Sequence, residues 1–367
     1  PRERDSQTAE AVVDNDIPDW QGTYSETETD DAQWASSASG AGFAVPDGCL
    51  TDSTLPFQSG TWRAVPALMR KSRLAAATWT PRLPRAGRYA VSYATRPNSV
   101  PDAHYTIYHK GGRTQVKVNQ QMGGGTWVYV GTYEFDEGEQ AGGKVVLTNQ
   151  SNYRGVVTAD GVRFGGGMGQ VARATAGTSG LPRFLEAARY YAQWAGVPDS
   201  IYSPSQGEND YTDDYKCRGH WVNWLAGGSV VNPKEEGLHI PIDLSLAFHS
   251  DAGTTLNDSI IGTLGIYQTA SYDGRFEGGA SRYLSRDLTD LIQSAIVNDI
   301  RTLYEPLWSR RGMWNQSYFE ARVPRVPAML LELLSHQNFA DMRYGLDPRF
   351  RFTVSRAIYK GMLRFIA

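Results

Sequence analysis

The chain has 367 residues, of which 41% are hydrophobic and 20% are charged, and its formal net charge is -3. This composition supplies apolar side chains for about two hydrophobic cores. It argues against nucleic acid as a partner, because there is no long cluster of Lys or Arg. No window of about 18 apolar residues predicts a transmembrane helix.

The first part of the chain predicts β structure. Residues 1–17 are polar and charged, and the span from Trp20 to Phe164 alternates short apolar runs with Gly, Pro and Asn. The runs that predict strands are 89–93, 106–108, 115–119, 126–130, 144–147 and 155–157. Strands at this spacing are typical of an antiparallel sandwich. The glycine-rich stretch 165–169 then predicts a linker.

After this linker the pattern changes to an alternation of helices and strands. Helices are predicted over 182–194, 282–304 and 348–366, and strands over 238–248, 261–269 and 327–333. Alternation of this kind predicts an α/β layer domain.

Two residues in this α/β part stand out as candidates for catalysis. His249 follows an apolar run, Leu238 to Phe248, and precedes a turn-prone segment. The carboxyl ends of strands are where ligands gather in α/β sheets, so His249 is well placed to hold a metal or move a proton. Glu332 is one carboxylate inside an apolar run, where an unpaired charge is costly. The alternative for His249 is a core histidine, and for Glu332 an ion pair with Arg325 or Arg343.

Other polar residues are secondary candidates. His336 lies four residues after Glu332, but a strand that ends at Glu332 favours a substrate contact over a metal pair. His220 either lines the cleft or packs, and Asp251 contacts substrate or orients His249. His249, Ser250 and Asp251 do not form a serine triad, because triads are assembled in space.

Further residues in the chain carry weaker signals. Trp62, Trp79 and Trp127 are either sugar-stacking platforms or core residues. His104 and His109 are interpreted as ordinary strand residues. Cys49 and Cys217 have no metal-ligand spacing and need not pair.

The predicted sandwich resembles the golvesin/xanthan-lyase carbohydrate-binding-like domain. The matching segments are Ala77-Thr-Trp79-Thr-Pro81, Ala86-Gly-Arg-Tyr89-Ala-Val91, Val118-Asn-Gln120, Gly125-Thr-Trp127-Val-Tyr-Val-Gly131 and Ala159-Asp160-Gly-Val-Arg-Phe164. The resemblance covers about 145 residues.

The α/β part resembles zinc-dependent N-acetylmuramoyl-L-alanine amidases. Their Ser-Ile-His-Ala-Asn-Ala motif is similar to Ala247-Phe-His249-Ser-Asp251-Ala252, and their Pro-Ala-Val-Leu-Val-Glu motif to Pro327-Ala-Met-Leu-Leu-Glu332. Three further segments are similar to family motifs, namely Pro1-Arg2-Glu3-Arg4-Asp5, Cys217-Arg218-Gly-His-Trp-Val-Asn223 and Ala280-Ser-Arg282-Tyr-Leu-Ser-Arg-Asp-Leu288.

This resemblance implies a fold and a chemistry. It implies an α/β amidase-like domain, with a mixed sheet flanked by helices and its first strands missing, interrupted by an inserted all-β sandwich. The segments would be residues 1–17 as the end of the first half and linker, 18–168 as the sandwich and 169–367 as the catalytic portion. His249 would be a Zn²⁺ ligand and Glu332 the catalytic acid and base, with Arg218, His220, Asp251 and His336 in contact with substrate.

The implied substrate is peptidoglycan, or another glycan, in the bacterial cell envelope or outside the cell. The family's first zinc histidine and its zinc glutamate would lie before Pro1, so we expect a preceding segment of the same gene product to supply the remaining ligands. Two alternatives stay open. One is a non-catalytic cell-wall or polysaccharide-binding protein on an amidase-like scaffold, and the other is a polysaccharide lyase-associated protein.

Overall fold

The computed structural model describes residues 8–51, 53–96, 99–140, 142–172 and 177–367. The chain forms two compact units, Pro1–Cys217 and Arg218–Ala367. The predicted match of Pro1 to Asp5 with an amidase motif lies outside the described residues. No disulfide joins Cys49, which is exposed, to Cys217, which is buried.

The first unit is built mainly from antiparallel strands. They are β1 (Glu10–Val13), β2 (Gly22–Thr27), β3 (Ala35–Ser36), β4 (Arg63–Pro66), β5 (Ala76–Leu83), β6 (Gly87–Tyr93), β7 (Ala103–His109), β8 (Gly112–Val118), β9 (Val128–Phe135), β10 (Gly138–Glu139), β11 (Lys144–Thr148), β12 (Val156–Ala159) and β13 (Val162–Gly165). The sheets have the strand orders β1-β13-β6-β9, β10-β5-β11-β7-β8 with β2 on β5, and β12-β4-β3. Each of the six segments predicted to be extended overlaps one of these strands.

The core between these sheets is aromatic and β-branched. Trp79 of β5 is completely buried and stacks on Tyr105 of β7, with ring centroids 6.4 Å apart. Its indole N–H donates to the backbone oxygen of Asp160 at 2.8 Å. Alternate residues of β5 and β7 are buried, which is the pattern expected of strands with one face on a core.

The sandwich begins earlier than predicted. Residues 8–17 were expected to belong to the preceding amidase-like half and a linker, but β1 pairs antiparallel with β13, with Val13 opposite Val162. Ala11 and Val13 are buried there. The short run Ala11-Val-Val13 was too brief to stand out among its polar neighbours, although it completes a sheet edge.

The segment after the predicted linker also packs with the sandwich. Its helices are α1 (Ala188–Trp194) and α2 (Asp199–Tyr202). The helix predicted from 182 begins only at Ala188, because Glu186 and Ala187 are extended. Trp194 stacks on Trp127 with centroids 6.1 Å apart, and Thr126 Oγ1 donates to the Ala195 carbonyl at 2.8 Å. The first compact unit therefore continues to Cys217, whereas the predicted boundary was 168/169.

Helix α3 (Asp210–Ala226) crosses the division between the units, and the second unit contains a mixed sheet with helices. Its strands are β14 (Ser245–Asp251), β15 (Thr263–Tyr267), β16 (Arg310–Asn315) and β17 (Ala328–Ser335), and its helices are α4 (Tyr283–Leu303), α5 (Phe319–Arg322), α6 (Phe339–Gly345) and α7 (Pro348–Ile366). The sheet order is β14-β17-β15-β16. The pairs β14/β17 and β15/β16 are parallel and β15/β17 is antiparallel. The mixed α/β character agrees with the prediction.

Two strand bounds differ from those predicted. Residues 238–244 are not in a strand, and His239 there has a φ of 58°, outside the extended region. The strand that carries Glu332 does not end at that residue but continues to Ser335, so His336 directly follows it. Glu332 and His336 therefore do not lie one turn apart on a helix, and the helical spacing of a metal-binding pair does not apply to them.

Candidate functional site

His249 and Glu332 are direct neighbours across two parallel strands. In the register of β14 and β17, the Cα of His249 is opposite that of Glu332. Residues opposite each other on adjacent strands project to the same face of a sheet. Both lie in the carboxyl-terminal half of their strands, where functional groups gather in α/β proteins. The structure thus brings together the two residues that the sequence predicted as metal ligand and catalytic carboxylate.

The imidazole of His249 contacts a carboxylate that the sequence analysis did not find. Its Nε2 lies 3.2 Å from Oε1 and 3.1 Å from Oε2 of Glu320, which is carried by α5. This hydrogen bond raises the pKa of His249, although burial opposes it. Sequence offered only a weak signal for Glu320, an acidic residue between apolar neighbours shortly after a strand.

Arg218 completes this charged group. Its Nη1 lies 3.2 Å from Oε1 of Glu320. Burial alone would raise the pKa of Glu320, but the hydrogen bond from His249 and the charges of His249 and Arg218 lower it. The pKa of His249 is raised and that of Glu320 is lowered, as expected when the two side chains form an ion pair. Arg218 therefore lies next to the candidate centre, and its contact with substrate stays a prediction.

Glu332 has a different environment from Glu320. Its Oε2 is buried and has no hydrogen-bond partner within the described residues. Burial raises the pKa of Glu332, and the positive charges of His249 and Arg311 only partly offset this. The predicted alternative of an ion pair with Arg325 or Arg343 does not occur in the described structure, since Arg325 pairs with Glu277 and Arg343 with Glu305. Glu332 is thus a half-buried carboxyl with unused hydrogen-bonding capacity.

The remaining predicted residues surround this centre at different positions. Asp251 accepts a hydrogen bond from Arg311 Nη1 at 2.6 Å, and this bond helps to lower the pKa of Asp251 against the effect of burial. His336 Nδ1 lies 3.1 Å from Ser250 Oγ. The His220 ring packs edge-on against Phe319, the residue before Glu320, at 5.2 Å.

The donor types fit zinc, although their number is incomplete. Imidazole nitrogen and carboxylate oxygen are both zinc ligands, and catalytic zinc normally has three protein ligands. In the part of the chain that the structure describes, no group of three or more His, Cys, Asp or Glu side chains is arranged to hold a metal. The structure does offer the His249 imidazole and the unpartnered Oε2 of Glu332 on one face of the sheet.

The candidate sugar-stacking tryptophans lie in the first unit. Trp79 has no exposed surface, so it is a core residue and does not stack on sugar. Trp127 packs edge-on against Phe43 at 4.7 Å. The aromatic residues with the most exposed surface in this unit are Tyr211, Tyr129, Tyr153 and Trp20.

Comparison with known proteins supports the sandwich assignment. Residues 57–166 match the family model described as the Golvesin C-terminal domain. A stretch of 92 residues is 40% identical to xanthan lyase from Bacillus sp. (strain GL1) and covers 24% of this chain. This stretch spans only 10% of that relative. The predicted golvesin-like resemblance is therefore confirmed for residues 57–166.

Solved structures include both families named by the resemblance. Paenibacillus xanthan lyase has 22% identity and a TM-score of 0.31, over 43% of this chain and 13% of that one. An N-acetylmuramoyl-L-alanine amidase from Clostridium difficile 630 has 18% identity and a TM-score of 0.30, over 46% of this chain and 78% of that one. TM-scores of this size do not establish a shared fold. Among the described helices, none has the length and apolar character needed to span a membrane.

Proposed function

We propose that the chain carries catalytic residues of a zinc-dependent amidase that cleaves the amide between the muramoyl lactyl group and L-alanine in peptidoglycan. The observation that carries this proposal is the register of His249 and Glu332, which gives an imidazole and a carboxyl to one face of the sheet. The order and spacing of the motifs around both residues support the same reaction.

The residues of the chain have distinct roles in this proposal. Zinc, when bound, would lower the pKa of a water molecule to about 7 and polarise the scissile carbonyl. His249 would hold it through Nε2, the atom that now contacts Glu320. Glu332 would take a proton from the attacking water and deliver it to the leaving amine. The raised pKa of Glu332 suits a group that must hold a proton between these two steps.

The arginine side chains would position the substrate. Arg218 and Arg311 both lie beside carboxylates at this centre, and a guanidinium also recognises the carboxylates of peptide stems. Catalytic zinc would need two protein ligands besides His249. The golvesin-like sandwich would hold the glycan, and the site of action would be the cell envelope or the exterior.

A second candidate function is binding of a cell-wall polysaccharide without catalysis. The absence of a three-ligand group among the described residues favours it. Loss of Glu332 would abolish catalysis by an amidase, but it would not abolish the function of a binding protein, which does not need a proton carrier.

The test is amide cleavage of muropeptides by the protein loaded with zinc, with zinc measured by elemental analysis. Glu332→Gln should reduce turnover by about 100-fold or more, while zinc content and Tm stay near those of the parent. The matched control is Glu305→Gln, because Glu305 pairs with Arg343 and Tyr344, away from the candidate centre. Retained turnover in the Glu332 variant would assign the proton transfer to another group, and stoichiometric zinc without turnover in the parent would favour the binding function.

A further inference from the structure

A second polar cluster lies in the first unit, far in sequence from His249. Asp14 directly follows β1, and Asp160 lies between β12 and β13. β1 and β13 pair with Val13 opposite Val162, so the residue after β1 and the residues before β13 lie at the same end of this ladder, and the charge of Asp160 acts on Asp14 there. Both aspartates are nearly inaccessible to solvent, with 1% exposure for Asp14 and 2% for Asp160.

The carboxylate of Asp14 is not satisfied by the protein. Both of its oxygens are buried and neither accepts a hydrogen bond of normal geometry, although the backbone amides of Asn15 and Asp16 lie near. A buried carboxylate without hydrogen bonds or a counter-charge is strongly unfavourable. Burial and the charge of Asp160 both raise the pKa of Asp14, and no Lys or Arg in the described structure pairs with either aspartate.

Asp160 is held in place by backbone groups. Its Oδ2 accepts from the Phe43 amide at 3.0 Å and its Oδ1 from the Gly161 amide at 2.8 Å. Each carboxylate oxygen has two lone pairs, so one acceptor position remains on each. The carboxylate is thus oriented by the loop before β13 and by Phe43, and each of its oxygens keeps one lone pair for a ligand.

Asn15 adds a third unsatisfied oxygen. Its Nδ2 donates to the carbonyl oxygen of Thr61 at 3.1 Å and to Thr61 Oγ1 at 3.0 Å. Because a carbonyl only accepts, the amide nitrogen must face Thr61, and Oδ1 is left buried without a partner. Asp16 lies near this cluster, since its charge raises the pKa of both Asp14 and Asp160, and Thr61 donates to each of its oxygens, at 2.6 and 2.7 Å.

We propose that Asp14, Asn15 and Asp160 form a binding site for a calcium ion that links the end of β1 to the turn between β12 and β13. Calcium takes six to eight oxygen ligands and accepts carboxylates, amide oxygens, backbone carbonyls and water in flexible geometry. The donors here are all oxygens, without the nitrogen or sulfur that zinc prefers. The two carboxylates and the amide oxygen would be joined by backbone carbonyls or water to complete the coordination. This site is independent of the amidase proposal.

The test uses the full chain after treatment with a chelator and dialysis at near-neutral pH. Calcium should bind with one ion per chain in isothermal titration calorimetry. At about 100-fold above its dissociation constant, it should raise the Tm by roughly 5 to 10 °C. Asp14→Asn should lose this shift, and its Tm in chelator should equal or exceed that of the parent because a like-charge repulsion is removed. Asp136→Asn is the matched control, since Asp136 is exposed and pairs with Lys110 in the same unit.

A second measurement keeps the proposal testable if the Asp14 variant does not fold. The Trp79 indole lies 2.8 Å from the backbone oxygen of Asp160, so terbium bound here should emit when tryptophan is excited. Calcium should displace it and quench the emission. No calcium binding up to about 10 mM, above the weakest range of extracellular calcium modules, would overturn the proposal and leave a shared proton as the neutralising group. An equal Tm shift in the parent and the Asp14 variant would overturn it too.

Discussion

Glu320 Oε2 lies 3.1 Å from His249 Nε2, the same atom by which the imidazole would hold a metal. The protonation state of His249 is therefore set by a carboxylate that belongs to none of the motifs in the chain. Glu320 is mostly buried, with 13% of its side chain exposed, and it also contacts Arg218. Glu320 lies on α5, whereas His249 lies on β14.

The first prediction is that Glu320→Gln lowers the pKa of His249 in the metal-free protein. The hydrogen bond to Glu320 is the largest cause of the raised pKa, and without its charge the burial of the imidazole lowers that pKa. A raised histidine pKa stabilises the folded state fully below the unfolded pKa of about 6.5, and this contribution is lost as the pH rises through the folded value. The difference in unfolding free energy between parent and variant should thus be larger near pH 6 than near pH 9.

Histidine titration followed by NMR checks this prediction. Glu305→Gln is the control, because Glu305 contacts Arg343 and Tyr344 instead of a histidine. An unchanged His249 titration in the Glu320 variant would mean that the imidazole is controlled by another group, with Glu332 as the next candidate.

The second prediction concerns Asp341, whose carboxylate joins the end of β17 to the start of β15. Asp341 is fully buried, and its oxygens accept from the amides of Ile261, Gly262 and Ser335 at 2.9 to 3.2 Å. Asp341→Ala leaves these three donors without a partner, so it should lower the free energy of unfolding by about 3 to 5 kcal/mol.

Denaturant unfolding measures this cost, with two comparison variants. Asp341→Asn keeps one acceptor and should cost less. Asp347→Ala removes a half-buried helix cap that accepts from Arg349 N, and it should cost about 1 kcal/mol. Equal costs for Asp341→Ala and Asp347→Ala would show that the buried network contributes no more than an ordinary cap.

The sequence predicted those features that depend on local periodicity. Helices α4 and α7 were predicted to within one residue, because their apolar residues repeat at helical spacing and the neighbouring residues end the pattern. Strand β17 was also predicted, but its continuation to Ser335 was not, since the carboxylate at 332 interrupts the apolar run. The alternation of apolar and polar residues over 238–244 predicted a strand, but none forms there. Such a pattern does not guarantee that a neighbouring strand is present to pair with it.

Features that depend on pairing between distant segments could not be predicted from the sequence. The register of His249 with Glu332 follows from parallel pairing of strands about 80 residues apart, which no local pattern encodes. Glu320 was missed because its partner is 71 residues away and its own segment resembles no motif. Asp14 and Asp160 form a cluster only through the pairing of β1 with β13.

The third prediction is a pH dependence at Asp213 in α3. Its buried carboxylate accepts from the amides of Ser205 and Gly207 at 2.6 and 3.1 Å, and Arg189 Nε lies 3.9 Å away. Burial alone would raise its pKa, but these hydrogen bonds and the nearby charge lower it. A lowered pKa stabilises the folded state above the unfolded value of about 3.9, and this contribution is lost as the pH falls through the folded value.

Asp213→Asn should therefore destabilise the protein by about 1 to 3 kcal/mol at neutral pH, and by less as the pH falls below about 4. Unfolding curves of parent and variant across this range provide the measurement. Asp136→Asn, on the surface, should show no such convergence. If the destabilisation were constant with pH, the variant would lack the hydrogen-bond geometry of the Asp213 carboxylate, and the charge of that group would not matter.

The last prediction concerns Trp194, which attaches the segment after the predicted linker to the sandwich. The guanidinium groups of Arg163 and Arg183 lie 3.9 and 4.1 Å from its ring centroid, and Trp127 stacks on it. Only 6% of Trp194 is exposed. Trp194→Ala should lower the free energy of unfolding of the first unit by about 3 to 5 kcal/mol, because it removes a buried aromatic ring and its cation–π contacts.

Hydrogen–deuterium exchange should then increase most over 177–217 and less in the central strands of the sandwich, since local opening follows the loss of buried contacts. Tyr153→Ala is a suitable control because 55% of Tyr153 is exposed in the same unit. Unchanged exchange over 177–217 would mean that hydrogen bonds such as that from Thr126 to Ala195 hold the segment without the stacked ring.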